Sequence, residues 1–166
     1  QTFLPPIMAS LEQQASTPHL KVERLDADQV EERLVRSSID LAMSVSMIGS
    51  ARLWRTHVRA VEYVALSAGT HPLPATSPDM FRGRRFVRVS GRGGHVFPAQ
   101  ALTEHGLISQ VALTVEEYAT VPAVLEATDL VVLLPRHVAE VFSGWFPGLR
   151  IADLFFFNDT ATTEIY

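Results

Sequence analysis

Six histidines, His19, His57, His71, His95, His105 and His137, are the side chains best suited to metal ligation or proton transfer. No two stand at i, i+2 or i, i+4, so no strand or helix face presents a local ligand pair. They read as separate surface and turn histidines. The chain has no cysteine, which removes disulfides, zinc–thiolate sites and thiol nucleophiles. Neither Gly-x-Ser-x-Gly nor His-Glu-x-x-His occurs. The acidic pairs Glu31-Glu32 and Glu116-Glu117 fall in helix first turns or on exposed faces, where they complement the helix dipole. These residues assemble into no catalytic constellation, and neither a metal nor a cofactor is expected.

Two clusters remain. The loop Ser90-Gly91-Arg92-Gly93-Gly94 follows a predicted strand and precedes a predicted helix. Backbone N–H groups in such a turn can hold a small anion, or the turn can be plain connection. It lacks the Lys-Ser/Thr pair of a P-loop and the spacing of a dinucleotide fingerprint. Arg82, Arg84, Arg85, Arg88 and Arg92 place five of the 14 basic residues within eleven positions. Only Phe81 and Phe86 are aromatic there and the rest of the chain is acidic. The cluster therefore reads as a solvated loop, not a nucleic-acid surface.

The elements that position these residues alternate in the manner of an α/β protein. Leu4 to Ala15 reads as a helix with Pro5 and Pro6 in its first turn. Leu20 to Leu25 reads as a strand, and Gln29 to Arg36 as a helix capped by Asp26 or Asp28. Ile39 to Val45 reads as a buried strand. Leu53 to Ser67 holds one or two strands ending at Gly69. Phe86 to Val89 is a strand, Phe97 to His105 a helix stopped by Gly106, Val111 to Leu113 a strand and Val115 to Ala127 a helix. Leu130 to Leu134 is an apolar strand, with a helix after it to about Phe142. Leu149 to Leu154 begins a last strand.

With 47% apolar and 19% charged residues in 166, the chain suits a folded domain and not a disordered one. Its net charge of −4 gives no general attraction to nucleic acid or anionic membrane. No transmembrane run exists. Gln1 to Pro6 has no basic segment ahead of an apolar one, so no signal peptide is read there, and the missing initial Met suggests a fragment or a processed chain. Residues Phe155 to Tyr166 show neither helical period nor turn logic. They resemble translated sequencing-adapter read-through, so a non-native, poorly packed tail is expected.

In order and spacing, several segments resemble the effector-binding domain of LysR-type transcriptional regulators. They are Leu4-Pro5-Pro6-Ile7, Leu20-Lys21-Val22, Ser38-Ile39-Asp40-Leu41-Ala42-Met43, Glu62-Tyr63-Val64 before His71-Pro72-Leu73, Val121-Pro122-Ala123-Val124-Leu125, and Asp129-Leu130-Val131-Val132-Leu133-Leu134-Pro135. Thr128-Asp129-Leu130 and Leu134-Pro135-Arg136 look most like the branch of nodulation and aromatic-catabolism regulators. One departure is Ser37-Ser38, where the family usually closes the helix with glycine.

The resemblance implies a periplasmic-binding-protein type II-like α/β fold, with two α/β lobes joined by two crossing strands and truncated here at both ends. Crossings near Glu62 and Leu149 would divide the chain. Residues 1–62 would form part of lobe one, 63–148 lobe two, and 149–154 the return into lobe one, with 155–166 the tail. It implies a small-molecule effector, aromatic or carboxylate, in the interlobe cleft. Ligands of such folds sit at the carboxyl ends of strands and at helix N-termini. That rule selects Asp26 and Asp28, Ser44, Ser46, Ser90, Gly93, Gly94, His95 and Thr114, each of which also suits a cap or a turn. The implied partners are the effector, a second copy in a homodimer or tetramer of the full-length protein, and DNA only through an N-terminal helix-turn-helix that this chain lacks. Helix one, around Met8 and Leu11, and Phe97, Ala101 and Leu102 offer faces for the antiparallel pairing. A cytoplasmic location follows, with no membrane and no enzymatic activity. A transporter's solute-binding protein is the alternative, since it shares the fold.

Overall fold

The structure, a computed structural model, describes residues 3–14, 19–44, 49–74, 80–90, 96–154 and 161–165. Eight strands form two sheets among these residues. The strands are β1 (Met43–Ser44), β2 (Thr56–Val61), β3 (Tyr63–Ala68), β4 (Phe86–Val89), β5 (Val111–Val115), β6 (Val131–Pro135), β7 (Leu149–Asp153) and β8 (Ala161–Ile165). The helices are α1 (Leu4–Glu12), α2 (Ala27–Val35), α3 (Val96–Glu104), α4 (Val121–Ala127) and α5 (Arg136–Trp145).

The larger sheet runs β5-β4-β6-β3-β7. β4 is parallel to β5 and to β6, while β3 is antiparallel to β6 and to β7. Every residue of β3 and of β6 is buried. Both faces of this sheet are covered, which is why these strands read as unbroken apolar runs. On one face Val64, Leu66, Val132 and Leu134 pack with Val121 and Leu125 of α4 and with Ala139 and Phe142 of α5. On the other face Phe86, Val131 and Leu133 pack with Met80, Phe81 and Leu102 of α3.

The smaller sheet has the order β1-β8-β2, antiparallel throughout. The chain leaves it through Glu62, which stands between β2 and β3. β7 pairs with β3 in the larger sheet before the chain returns to the smaller one as β8. Tyr63 and Phe97 meet at this passage, with ring centroids 6.2 Å apart.

Four sequence expectations are corrected. Leu20 to Leu25 forms no strand, and its Leu20 and Val22 are exposed. A strand needs a ladder partner, and no described segment pairs with it. Of Ile39 to Val45, only Met43 and Ser44 form a strand; Val45 lies outside the described residues. The turn that closes α2 continues as bends to Asp40, and Leu41 is exposed. The helix expected from Val115 begins instead at Val121, after a 3₁₀ turn at Tyr118–Thr120, because β5 runs on through Val115. Pro122 sits in the first turn of α4, where its missing N–H costs nothing. In the tail, Ala161–Ile165 forms a central strand where no strand was expected. Its Thr-Thr and Ile are β-branched, and the edges of β1 and β2 offer backbone groups that need partners. Residues 155–160 and 166 lie outside the described ones.

Helix ends follow their residues. α3 closes with Gly106 at φ 68°, with Leu107 N–H donating to Leu102 O at 2.7 Å and Gly106 N–H to Thr103 O at 3.0 Å. α2 closes in the same way with Ser37 at φ 54°. Ser38 N–H donates to Arg33 O at 2.9 Å and Ser37 N–H to Leu34 O at 3.0 Å. Among the described residues, Ser37 is the one non-glycine at positive φ.

Candidate functional site

The carboxyl ends of the parallel strands β4 and β5 carry two of the expected donors. Ser90 follows β4 directly, is exposed, and gives both its N–H (2.8 Å) and its Oγ–H (3.3 Å) to Val115 O. Thr114 is exposed on β5 and is the register partner of Arg88. The structure therefore brings Ser90 and Thr114 to one end of the larger sheet.

The remaining candidates lie elsewhere. Asp28 is exposed in the first turn of α2, with Asp26 at the N-cap. Arg24, just before that helix, reaches Glu117 beyond β5 at 3.6 Å, so the approach to α2 adjoins the end of β5. Both side chains are more than half exposed, which leaves this pair little energetic weight. Ser44 is half-buried in β1 of the smaller sheet. Ser46, Gly93, Gly94 and His95 lie outside the described residues.

The arginine cluster is not one solvated loop. Arg84 donates through Nη2 to the carbonyls of His71 (2.5 Å) and Pro72 (2.9 Å), and through Nη1 to that of Asp129 (3.4 Å). Arg85 pairs with the Asp129 carboxylate at 3.3 Å, which holds that carboxyl below its ordinary range. These two arginines fasten a connection instead of offering a charged surface. Arg88 stands apart on β4, half-buried between three buried apolar neighbours, Phe86, Val87 and Val89. Its Nε is shielded from solvent and donates to no group among the described residues. Sequence reasoning counted it with the solvated arginine cluster, although one cation inside Phe86-Val87-Arg88-Val89 was the signal that sets it apart.

The sequence profile of the LysR substrate binding domain matches residues 1–155. The chain belongs to the LysR substrate-binding domain family. Its fold is the periplasmic-binding-protein type II-like fold of LysR regulatory domains. No curated protein matches the sequence. Among solved structures it is similar to a probable transcriptional regulator, PA0477 of Pseudomonas aeruginosa, at TM-score 0.81 and 20% identity over 98% of this chain and 56% of that one. It also resembles the regulatory domain of MexT, a transcriptional activator in Pseudomonas aeruginosa, at TM-score 0.77 and 24% identity over 99% of this chain and 83% of that one. Full-length CbnR complexed with its target DNA gives TM-score 0.74 and 13% identity over 98% of this chain and 57% of that one. The LysR-family chain thus spans a little over half the length of PA0477 and of full-length CbnR. No helix among its described residues is long and apolar enough to cross a membrane.

Proposed function

We propose that this chain is the small-molecule-sensing part of a cytoplasmic LysR-type regulator. An effector enters between two lobes and changes DNA binding by a helix-turn-helix outside this chain. The regulator works as a homodimer or tetramer and performs no catalysis. Lobe one is residues 1–62 and lobe two is 63–148, and residues 149–154, whose β7 still pairs with β3 in the larger sheet, lead the chain back toward lobe one.

The observation that carries the reading is the pair of sheets joined through Glu62, with Ser90 and Thr114 at the carboxyl ends of two parallel strands. Ligands of open α/β sheets sit at that end. Ser90 and Thr114 supply lobe two's polar contacts, with Gly93, Gly94 and His95 following Ser90 in the chain. Asp28, Ser44 and Ser46 supply lobe one's. A few fixed polar groups on apolar walls suit a small aromatic or carboxylate effector.

The test uses the complete regulator with a reporter promoter and a panel of small aromatic and carboxylic acids. At least one acid should change reporter output. Ser44→Ala with Ser90→Ala should weaken that response while leaving effector-free DNA affinity unchanged. A double variant that responds like the parent overturns this site.

A further inference from the structure

Arg88 is chemically out of place on its strand. Carrying a guanidinium into a half-buried position costs solvation, and structures recover that cost through a counter-charge or hydrogen bonds. Here Nε is sealed off, and among the described residues it donates to nothing and no carboxylate pairs with the side chain. With Pro98 and Leu102 of α3 and with Leu133 it lines a void of about 10 Å³. A space of that size holds about one water and no effector. Whatever completes the guanidinium's hydrogen bonding must therefore meet it from the solvent side.

The neighbouring strand supplies a second polar group at that level. Val87 and Val89 pack into the core with Leu113 and Val115, so Arg88 and its partner Thr114 project to the opposite face. This pairing depends on a register shift. Phe86 faces Val111 but Val87 faces Leu113, so Ala112 is an extra residue in β5. Bulges re-aim side chains and recur beside binding sites. This one sets the exposed Thr114 hydroxyl level with Arg88, on strands about 4.8 Å apart.

We propose that Arg88 and Thr114 form an oxyanion site on the α3 face of the larger sheet, and that the group it takes is the carboxylate of a small organic acid. The guanidinium fork matches two carboxylate oxygens, and the threonine hydroxyl donates a third bond. The acid's identity as effector rests on the function proposed above, but binding is read on this chain alone, without DNA. Loss of the site would therefore leave the reporter test standing.

The experiment titrates the 166-residue chain with sodium benzoate, sodium sulfate or sodium chloride at constant ionic strength. It follows arginine Nε–Hε signals by NMR, together with thermal unfolding. Benzoate should shift the Arg88 signal saturably, and chloride should not. Saturable binding of sulfate as well would support the site as a general oxyanion site, with benzoate alone marking it for carboxylates. Arg88→Met lacks the Arg88 signal, so its binding is read from the melts: the rise in melting temperature that benzoate gives the parent should vanish, and without anion the variant should unfold no lower than the parent, because it removes an uncompensated guanidinium. Arg88→Lys keeps the charge and stem but loses the fork, so it should bind on the order of tenfold more weakly. Thr114→Val should also weaken binding. An Arg88 signal that neither benzoate nor sulfate moves saturably overturns the proposal. So does an Arg88→Met variant that melts lower than the parent while binding benzoate equally well.

Discussion

Arg136 holds both carboxylate oxygens of Glu62, Nε at 2.7 Å and Nη2 at 2.8 Å, across 74 positions of the chain. The backbone repeats the link, with Arg136 N–H donating to Glu62 O at 2.8 Å. Nη2 also reaches Asp153, the last residue of β7. One guanidinium at the start of α5 thus ties down the residue where the chain enters the larger sheet and the residue where it leaves. Arg136→Ala should destabilise the domain by about 1 kcal/mol, since bidentate geometry lifts the pair above an ordinary surface ion pair. Denaturant unfolding measures it, and a variant indistinguishable from the parent would show the clamp to be passive.

The same clamp sets a pH dependence. The Arg136 hydrogen bonds hold the Glu62 carboxyl below its ordinary value near 4.5, against a smaller opposing effect of burial. A carboxyl lowered in the folded state stabilises fully above its ordinary value and loses that contribution as pH falls through the folded one. The stability difference between the parent and Glu62→Gln should therefore be constant near neutrality and shrink in acid. Glu62 is 58% exposed, so solvent screening keeps the difference below about 1 kcal/mol. A difference that is the same at neutral and acid pH counts against this account.

Ser37 carries the turn that glycine carries at the end of α3. A side chain in the left-handed region costs on the order of 1 kcal/mol, which glycine avoids. The hydrogen bonds that close α2 involve backbone groups and Ser38, whose Oγ–H donates to Arg33 O at 3.1 Å, so removing the Ser37 side chain keeps them. Ser37→Gly should raise the melting temperature by about 2–4 °C. A drop would mean that the serine hydroxyl contributes more than the strain.

Two phenols point to the alkaline side. Burial pushes the Tyr63 hydroxyl up to about 12. It raises Tyr118 further still, with the neighbouring Tyr63 adding to the effect. A raised acid is fully stabilising below its ordinary value near 10 and loses that contribution as pH rises through the folded one. Stability should fall above about pH 10, at up to about 1.4 kcal/mol per pH unit for each phenol. Tyr118→Phe should make the fall shallower in a series of thermal melts, and an equal slope would place the cause elsewhere.

What the sequence made legible follows burial. β3 and β6 are enclosed on both faces, so their apolar runs announce strands without ambiguity, and Gly106 announces the end of α3. Leu20 to Leu25 alternates only from Leu20 to Glu23 and has no ladder partner among the described residues, and pairing is not written in a strand's own residues. Arg88 was hidden by its neighbours in sequence, because Arg84 and Arg85 bond to Asp129, 45 and 44 positions away, while Arg88 Nε has no partner among the described residues. Thr114 was found by the general rule for strand ends. Its level with Arg88 depends on the extra residue at Ala112, which no local pattern signals.

The last prediction concerns β8. Its residues pair with β2 from Thr56↔Ile165 to Val61↔Ala161 and with β1 at Met43↔Ile165 and Ser44↔Glu164. Removing it leaves β1 and β2 with no described partner in their sheet, since neither pairs with the other. Deleting residues 155–166 should therefore speed amide hydrogen exchange across Thr56–Val61 and leave β3 and β6 protected, because the larger sheet makes its ladder without the tail. Thr163→Pro is the finer variant. Thr163 stands opposite Arg59 in the middle of the ladder, and proline there removes a donor and bends the strand. It should reproduce much of the deletion's effect on β2 with eleven of the twelve tail residues unchanged. Undiminished protection of Thr56–Val61 in both variants would mean that β2 holds its place without β8, and that the tail's strand contributes nothing to the sheet it joins.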